Sequence, residues 1–132
     1  MKPKIFSVED EVDITELYRL VFEENGMELE SALTGNEGLE KLRGFAKEGA
    51  VKPDMILLDL LLPDISGIEI LKEVKKTDAL KNIPLIVLTN YGSGQIHRLE
   101  GDGELKDVPY LIKIEVTPQQ LVEYIKKKIN FK

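Results

Sequence analysis

Five stretches of the chain are apolar over the length of a strand: KIFSV (4–8), MELESAL (27–33), DMILLD (54–59), IPLIVLT (83–89) and PYLIK (109–113). The first, third and fourth are continuously apolar, as parallel strands covered on both faces are. In the second, Met27, Leu29 and Ser31 alternate with Glu28 and Glu30, the period of an edge strand. Between these runs the apolar positions take helical spacing. Ile14, Leu17 and Val21 recur at i, i+3 and i+7, with Gly26 placed as a C-terminal cap. Leu39, Leu42 and Ala46 mark a second helix ending near Gly49. Ile68, Leu71 and Val74 mark a third, and Leu121, Val122, Ile125 and Ile129 the last. Three starts have capping-box spacing: Thr34 to Glu37, Ser66 to Glu69, and Thr117 to Gln120 with Pro118 at the first helical position.

The stretch 91–108, YGSGQIHRLEGDGELKDV, breaks this rhythm. Its glycines leave room for about two helical turns, and each interior glycine costs about 1 kcal/mol, so a short or frayed helix is expected there. No repeat, low-complexity tract or linker interrupts the alternation of strand and helix. The pattern predicts an α/β domain, a doubly wound five-stranded parallel sheet.

Length and composition narrow the picture. A chain of 132 residues suits one domain, here 1–132, large enough to bury a full core. It has no cysteine, which excludes disulfides and thiolate metal sites. The start, MKPKIFSVEDEVD, reaches acidic residues too early for a signal peptide or a membrane span, so a cytoplasmic protein is expected. Net charge is -6, and residues 1–64 hold 7 basic against 15 acidic residues. That balance disfavours a nucleic-acid ligand and suits a divalent cation. Positions 9–13, EDEVD, carry four carboxylates in five residues.

Asp59 stands in an otherwise aliphatic run, where burial makes a charge expensive. In an open parallel sheet, ligands bind outside the carboxyl ends of the strands where the strand order reverses. The first strand ends in Glu9 and Asp10, the third in Asp59, the fourth in Thr89 and the fifth in Lys113. Four of the five strands thus deliver a polar group to one edge. In the order 2-1-3-4-5, strands one and three adjoin at the reversal and bring Glu9, Asp10 and Asp59 together. Three carboxylates so placed repel one another, and a hard cation with oxygen ligands, Mg²⁺, relieves this. Lys113 adds an ammonium and Thr89 a hydroxyl, an environment suited to a phosphoryl group on Asp59.

Taken together, VED after the first run, DMILLDLLLPDISGIEIL, PLIVLT and YLIK resemble the receiver domain of two-component response regulators, over essentially the whole chain. The resemblance implies a flavodoxin-like (βα)5 fold. It also implies that Asp59 accepts a phosphoryl group from a phosphohistidine on a sensor histidine kinase or a histidine phosphotransferase. The resemblance further implies that Asp10 is a direct Mg²⁺ ligand, that Glu9 acts through water, and that the backbone carbonyl of Leu61 completes the protein ligands. It implies too that Thr89 turns its hydroxyl to the phosphoryl group, that Lys113 pairs with it, and that the Tyr110 rotamer couples to that movement. A stand-alone receiver is expected, monomer or weak homodimer. Its output would pass to an unknown downstream protein through the 91–108 helix, the fifth strand and the last helix, while helix one and the loops beside Asp59 meet the phosphodonor.

Two positions, and the glycine-rich helix expected in 91–108, depart from the family pattern. Lys113 is followed by Ile114, not by proline with a cis bond. A cis bond before a non-proline residue costs about 2.5 to 4 kcal/mol, so a trans bond is expected. Asn90 replaces the small residue common after the threonine and is expected to narrow access to the phosphoryl group.

Plainer roles stand beside these. Asp10 can also be the N-cap of helix one, which is compatible with a metal role, Tyr110 can be a half-buried strand aromatic, and Asp64 and Ser66 read as turn and cap. Lys126, Lys127 and Lys128 complement the dipole of the last helix, and His97 reads as a surface residue. GSGQIH lacks the third glycine of a dinucleotide fingerprint. The rival functions are a binding module of the same fold that is never phosphorylated, an aspartyl phosphohydrolase and a flavin carrier. Leu61 stands where such a hydrolase has a second aspartate, which argues against a turnover enzyme, and EDEVD would repel a flavin phosphate.

Overall fold

A computed structural model describes residues 2–90, 103, 105 and 107–132. The expected helix in 91–108, with His97 and GSGQIH, lies outside the described residues apart from 103, 105, 107 and 108. In chain order the elements are β1 (Lys4–Val8), α1 (Val12–Glu24), β2 (Glu28–Ala32), α2 (Gly35–Phe45), β3 (Met55–Leu58), α3 (Gly67–Lys76), β4 (Leu85–Thr89) and β5 (Tyr110–Ile112). A 3₁₀ turn (Lys113–Glu115) then leads into α4 (Pro118–Ile129). All five strands are parallel, in the order β2-β1-β3-β4-β5. Each strand lies within the apolar run that predicts it.

The sheet is covered on both faces, which explains the unbroken apolarity of β1, β3 and β4. On one face Phe6, Val8, Ile56, Leu58 and Val87 pack with Leu42 of α2 and Ile70, Leu71 and Val74 of α3. On the other, Ile5, Met55, Leu57 and Ile86 meet Tyr18 and Phe22 of α1 and Leu121, Val122 and Ile125 of α4.

Helix α1 is rotated relative to the face its aliphatic spacing predicts: Ile14 and Val21 pack against the core at its margin, but Leu17 does not. Leu17 is 48% exposed, and Thr15, Tyr18 and Phe22 are buried instead. The two rings stack at 6.0 Å and bury more apolar surface than Leu17 could, so they set the rotation of the helix. The N-cap of α1 is Glu11, not Asp10, and it makes no side-chain cap bond, so the capping role for Asp10 is not the one observed.

Of the three capping boxes, only Thr117 with Gln120 is reciprocal. At α2 the Thr34 hydroxyl accepts from Glu37 N–H, but Glu37 reaches one residue further back, to Leu33 N–H. At α3 the Ser66 hydroxyl accepts from Ile68 N–H. Helix α2 has a second cap that comes from 28 and 29 residues away: the Asp64 carboxylate accepts from Gly35 N–H and Asn36 N–H, both at 2.8 Å.

These backbone donors, that of Asn36 foremost, hold the Asp64 carboxyl below its usual value. A carboxylate whose folded pKa is depressed stabilises the fold fully above its unfolded value and loses that contribution as pH falls through the folded one. The urea midpoint of Asp64→Ala should therefore lie below that of the wild type at pH 6, and the gap should shrink as pH drops below about 3.8. A gap that is constant with pH would show that the charge plays no part.

Candidate phosphoacceptor and metal site

Parallel pairing builds the site. Val8 of β1 lies opposite Leu58 of β3, so the next residue on each strand, Glu9 and Asp59, emerges side by side at the carboxyl edge. The Asp59 N–H continues the ladder by donating to Val8 O at 3.1 Å, and the Glu9 N–H donates to Ala32 O at 3.0 Å. Both side chains are buried, while Asp10 is exposed. One carboxylate oxygen from each of Glu9, Asp10 and Asp59 falls within 4.8 Å of the others, so the three could hold a metal ion.

Lys113 enters from the end of β5 and is itself buried. Its ammonium donates to Asp59 Oδ2 at 2.8 Å, to Glu9 Oε1, and to Glu11 Oε1 at 3.3 Å. Two buried acids thus share one buried base. Burial pushes the Glu9 carboxyl up to about 8, with Asp59 adding to the rise and Lys113 pulling it back. Burial draws the Lys113 ammonium down, but its hydrogen bonds to Asp59 and Glu9 outweigh this and hold it above the usual lysine value. The second oxygen, Glu9 Oε2, is buried with no hydrogen-bond partner among the described residues. A hard cation fits such a donor set: oxygen ligands only, an excess of negative charge, and one buried oxygen without a partner.

The other oxygen of Asp59, Oδ1, accepts from the Leu61 N–H at 3.1 Å, so the loop after β3 orients the carboxylate. Leu61 itself is 48% exposed. Gly67 closes that loop: its N–H donates to Leu60 O at 3.1 Å, and a Cβ there would meet Asp59 O at 2.3 Å. Thr89 ends β4 fully buried at the same edge, two residues beyond Val87, which pairs with Leu58. Tyr110 opens β5 opposite Val87, half-buried against the α2–α3 side of the core, as a strand aromatic would be. The Lys113–Ile114 bond is trans, as expected. Ile114 N–H donates to Asn90 Oδ1 at 3.2 Å.

Behind the acids lies a cavity of about 10 Å³, lined by Ser7, Glu9, Tyr18, Asp59 and Lys113 among others, room for roughly one water. Burial there pushes the Tyr18 phenol above its usual value. A drug-sized ligand or flavin needs some 300 Å³ or more, so this space suits chemistry at the rim and not an enclosed small-molecule substrate.

A model of the response regulator receiver domain matches residues 5–126. The chain belongs to this family. Among curated relatives, sporulation initiation phosphotransferase F of Bacillus subtilis is 32% identical over 98% of this chain and 99% of its own length. The polar-differentiation response regulator DivK of Brucella anthropi is 33% identical over 79% of this chain and 75% of its own. Other relatives are longer: the chain spans 35% of the CpxR homolog of Haemophilus influenzae and 49% of PhoB of Rhizobium meliloti. Among solved structures, the response regulator TrrA of Thermotoga maritima, in complex with Mg²⁺ and BeF, is 28% identical with a TM-score of 0.74, covering 98% of this chain and 99% of that one. Chemotaxis regulator CheY4 of Vibrio cholerae shares the fold with a TM-score of 0.78, at 24% identity over 96% of this chain and 98% of that one.

Three features of this receiver escape the sequence patterns: Glu11 as a third acid on Lys113, the Asp64 cap on α2, and the bond between Asn90 and Ile114. The last two join residues 24 or more apart and carry no local signature. For Glu11, the density of EDEVD was the available signal.

Proposed function

We propose that Asp59 accepts a phosphoryl group from a phosphohistidine of a sensor histidine kinase or histidine phosphotransferase, with Mg²⁺ present, and that the change is read by a protein partner. The observation that carries this is the meeting of Glu9, Asp10 and Asp59 within 4.8 Å, with the Lys113 ammonium on Asp59. An Asp59 oxygen forms the new O–P bond as the P–N bond to the donor histidine breaks, and the imidazole keeps the electron pair. Glu9, Asp10, Asp59 and the Leu61 carbonyl would hold Mg²⁺, which supplies positive charge for the equatorial phosphoryl oxygens. A complex of TrrA with Mg²⁺ and BeF, at 28% identity, supports this choice of cation.

Lys113 neutralises the remaining charge by moving its ammonium from the carboxylate to the phosphoryl oxygens, and Thr89 donates its hydroxyl there. The added charge and acceptor oxygens shift the population between two conformations, with Tyr110 as the reporter at the α2–α3 side of the sheet. Turnover is not the purpose of the site. The receiver acts as a cytoplasmic domain spanning 1–132, monomer or weak homodimer. Its phosphodonor meets α1, whose outer side exposes Val12, Leu17 and Leu20, and the loops at the Asp59 edge.

Intact-mass analysis after incubation with acetyl phosphate and Mg²⁺ tests the reading. The wild type should gain one phosphoryl mass, and the gain should vanish in Asp59→Asn and in the wild type treated with EDTA. No gain in the wild type would point to a binding module that signals by association alone.

A further inference from the structure

Asn90 and Ile114, the two departures from the family pattern beside the site, are hydrogen-bonded to each other. The β4–β5 ladder ends with Thr89 opposite Ile112. One step beyond, the Asn90 side-chain oxygen accepts from Ile114 N–H at 3.2 Å, in place of a backbone carbonyl. Lys113 is therefore bracketed: the residue before it pairs with Thr89, and the residue after it is tied to the neighbour of Thr89. The 3₁₀ turn closes behind it, with Val116 N–H donating to Lys113 O at 3.3 Å. A proline at 114 would have no N–H to give, and a small residue at 90 would have no acceptor of this reach.

We infer that Asn90 is a positioning residue for Lys113: it latches the backbone that carries the ammonium and fixes that ammonium on Asp59. The Ile114 side chain stays in solvent at 83% exposure, so its N–H is the part in use. The same bond joins the strand end that carries Thr89 to the loop that carries Lys113, so the two groups that would meet the phosphoryl oxygens move as one unit. The inference rests on the proposed acceptor role of Asp59 for its kinetic consequence, but not for the latch itself.

Amide hydrogen exchange on the unphosphorylated protein tests the latch directly. The Ile114 amide should be protected in the wild type and in Asn90→Asp, which keeps the acceptor oxygen, and should exchange faster in Asn90→Ala. Phosphoryl incorporation from acetyl phosphate and Mg²⁺ tests the consequence. Asn90→Ala should slow it by about threefold to tenfold, the scale of one net hydrogen bond. In an Ile114→Pro background, which lacks the donor, Asn90→Ala should slow it no further. Equal exchange of Ile114 in wild type and Asn90→Ala would overturn the latch. Equal slowing in both backgrounds would overturn the link to Lys113 and leave access as the role of Asn90. Failure of the wild type to take label would instead defeat the reading of Asp59, with the exchange result still deciding the latch.

Discussion

Replacing Lys113 with alanine is expected to destabilise the Mg²⁺-free protein by about 2 to 4 kcal/mol, and added Mg²⁺ should narrow the gap to the wild type. The ammonium lies between Asp59, Glu9 and Glu11, and two of these three acids are buried. Its loss leaves the Asp59 carboxylate buried without its counter-charge. The penalty is smaller than for two bare acids because Glu9, pushed up to about 8 even with the ammonium beside it, holds its proton at pH 7. A cation on the acids replaces the missing charge, so the variant should gain more from Mg²⁺ than the wild type does. Urea unfolding at pH 7 with EDTA or with Mg²⁺ measures both quantities. A loss under about 1 kcal/mol, unaffected by Mg²⁺, would show that the ammonium is not what balances the acids.

Gly67→Ala should cost about 3 kcal/mol or more and impair the site with it. The added Cβ would sit 2.3 Å from Asp59 O and 2.6 Å from Leu60 Cα, backbone atoms that cannot swing aside as a side chain does. Relief requires α3 to draw back or the β3 edge to shift, and either displaces the carboxylate that Leu61 N–H orients. Gly44→Ala is the internal control. Among the described residues, nothing beyond its chain neighbours and its own helix backbone lies within 4 Å of its Cβ position, so it should be neutral or stabilise by up to about 1 kcal/mol. Thermal or urea unfolding of the two variants, with circular dichroism as the probe, compares them. A Gly67→Ala protein as stable as the wild type would mean that the loop after β3 is slack.

What could be read from the sequence follows the range of the interaction. Strand runs such as MILL and LIVLT were legible because burial on both faces leaves a parallel strand almost wholly apolar up to its end. The meeting of Glu9 and Asp59 was legible because the strand order makes β1 and β3 neighbours and their apolar runs fix where each strand ends. The rotation of α1 was not, since an aliphatic count gives Leu17 the weight that Tyr18 and Phe22 carry by size. Caps within one turn, as at Thr117, were legible; the cap that Asp64 provides from another loop was not. At the site, the acids and Lys113 declared themselves by type and strand-end position. Their charge balance did not, because the contact of Lys113 with Glu9 as well as Asp59 depends on how β5 hands over to its 3₁₀ turn.

In the proposed reaction the buried acid at the end of β3, and no other, takes the phosphoryl group. Borohydride reduces an acyl phosphate of aspartate to homoserine, so reduction of the labelled wild type followed by peptide mapping reads the acceptor residue by residue. Homoserine at position 59 alone is the predicted result. Homoserine at position 10, or a reduced glutamate at position 9 with Asp59 intact, would contradict it.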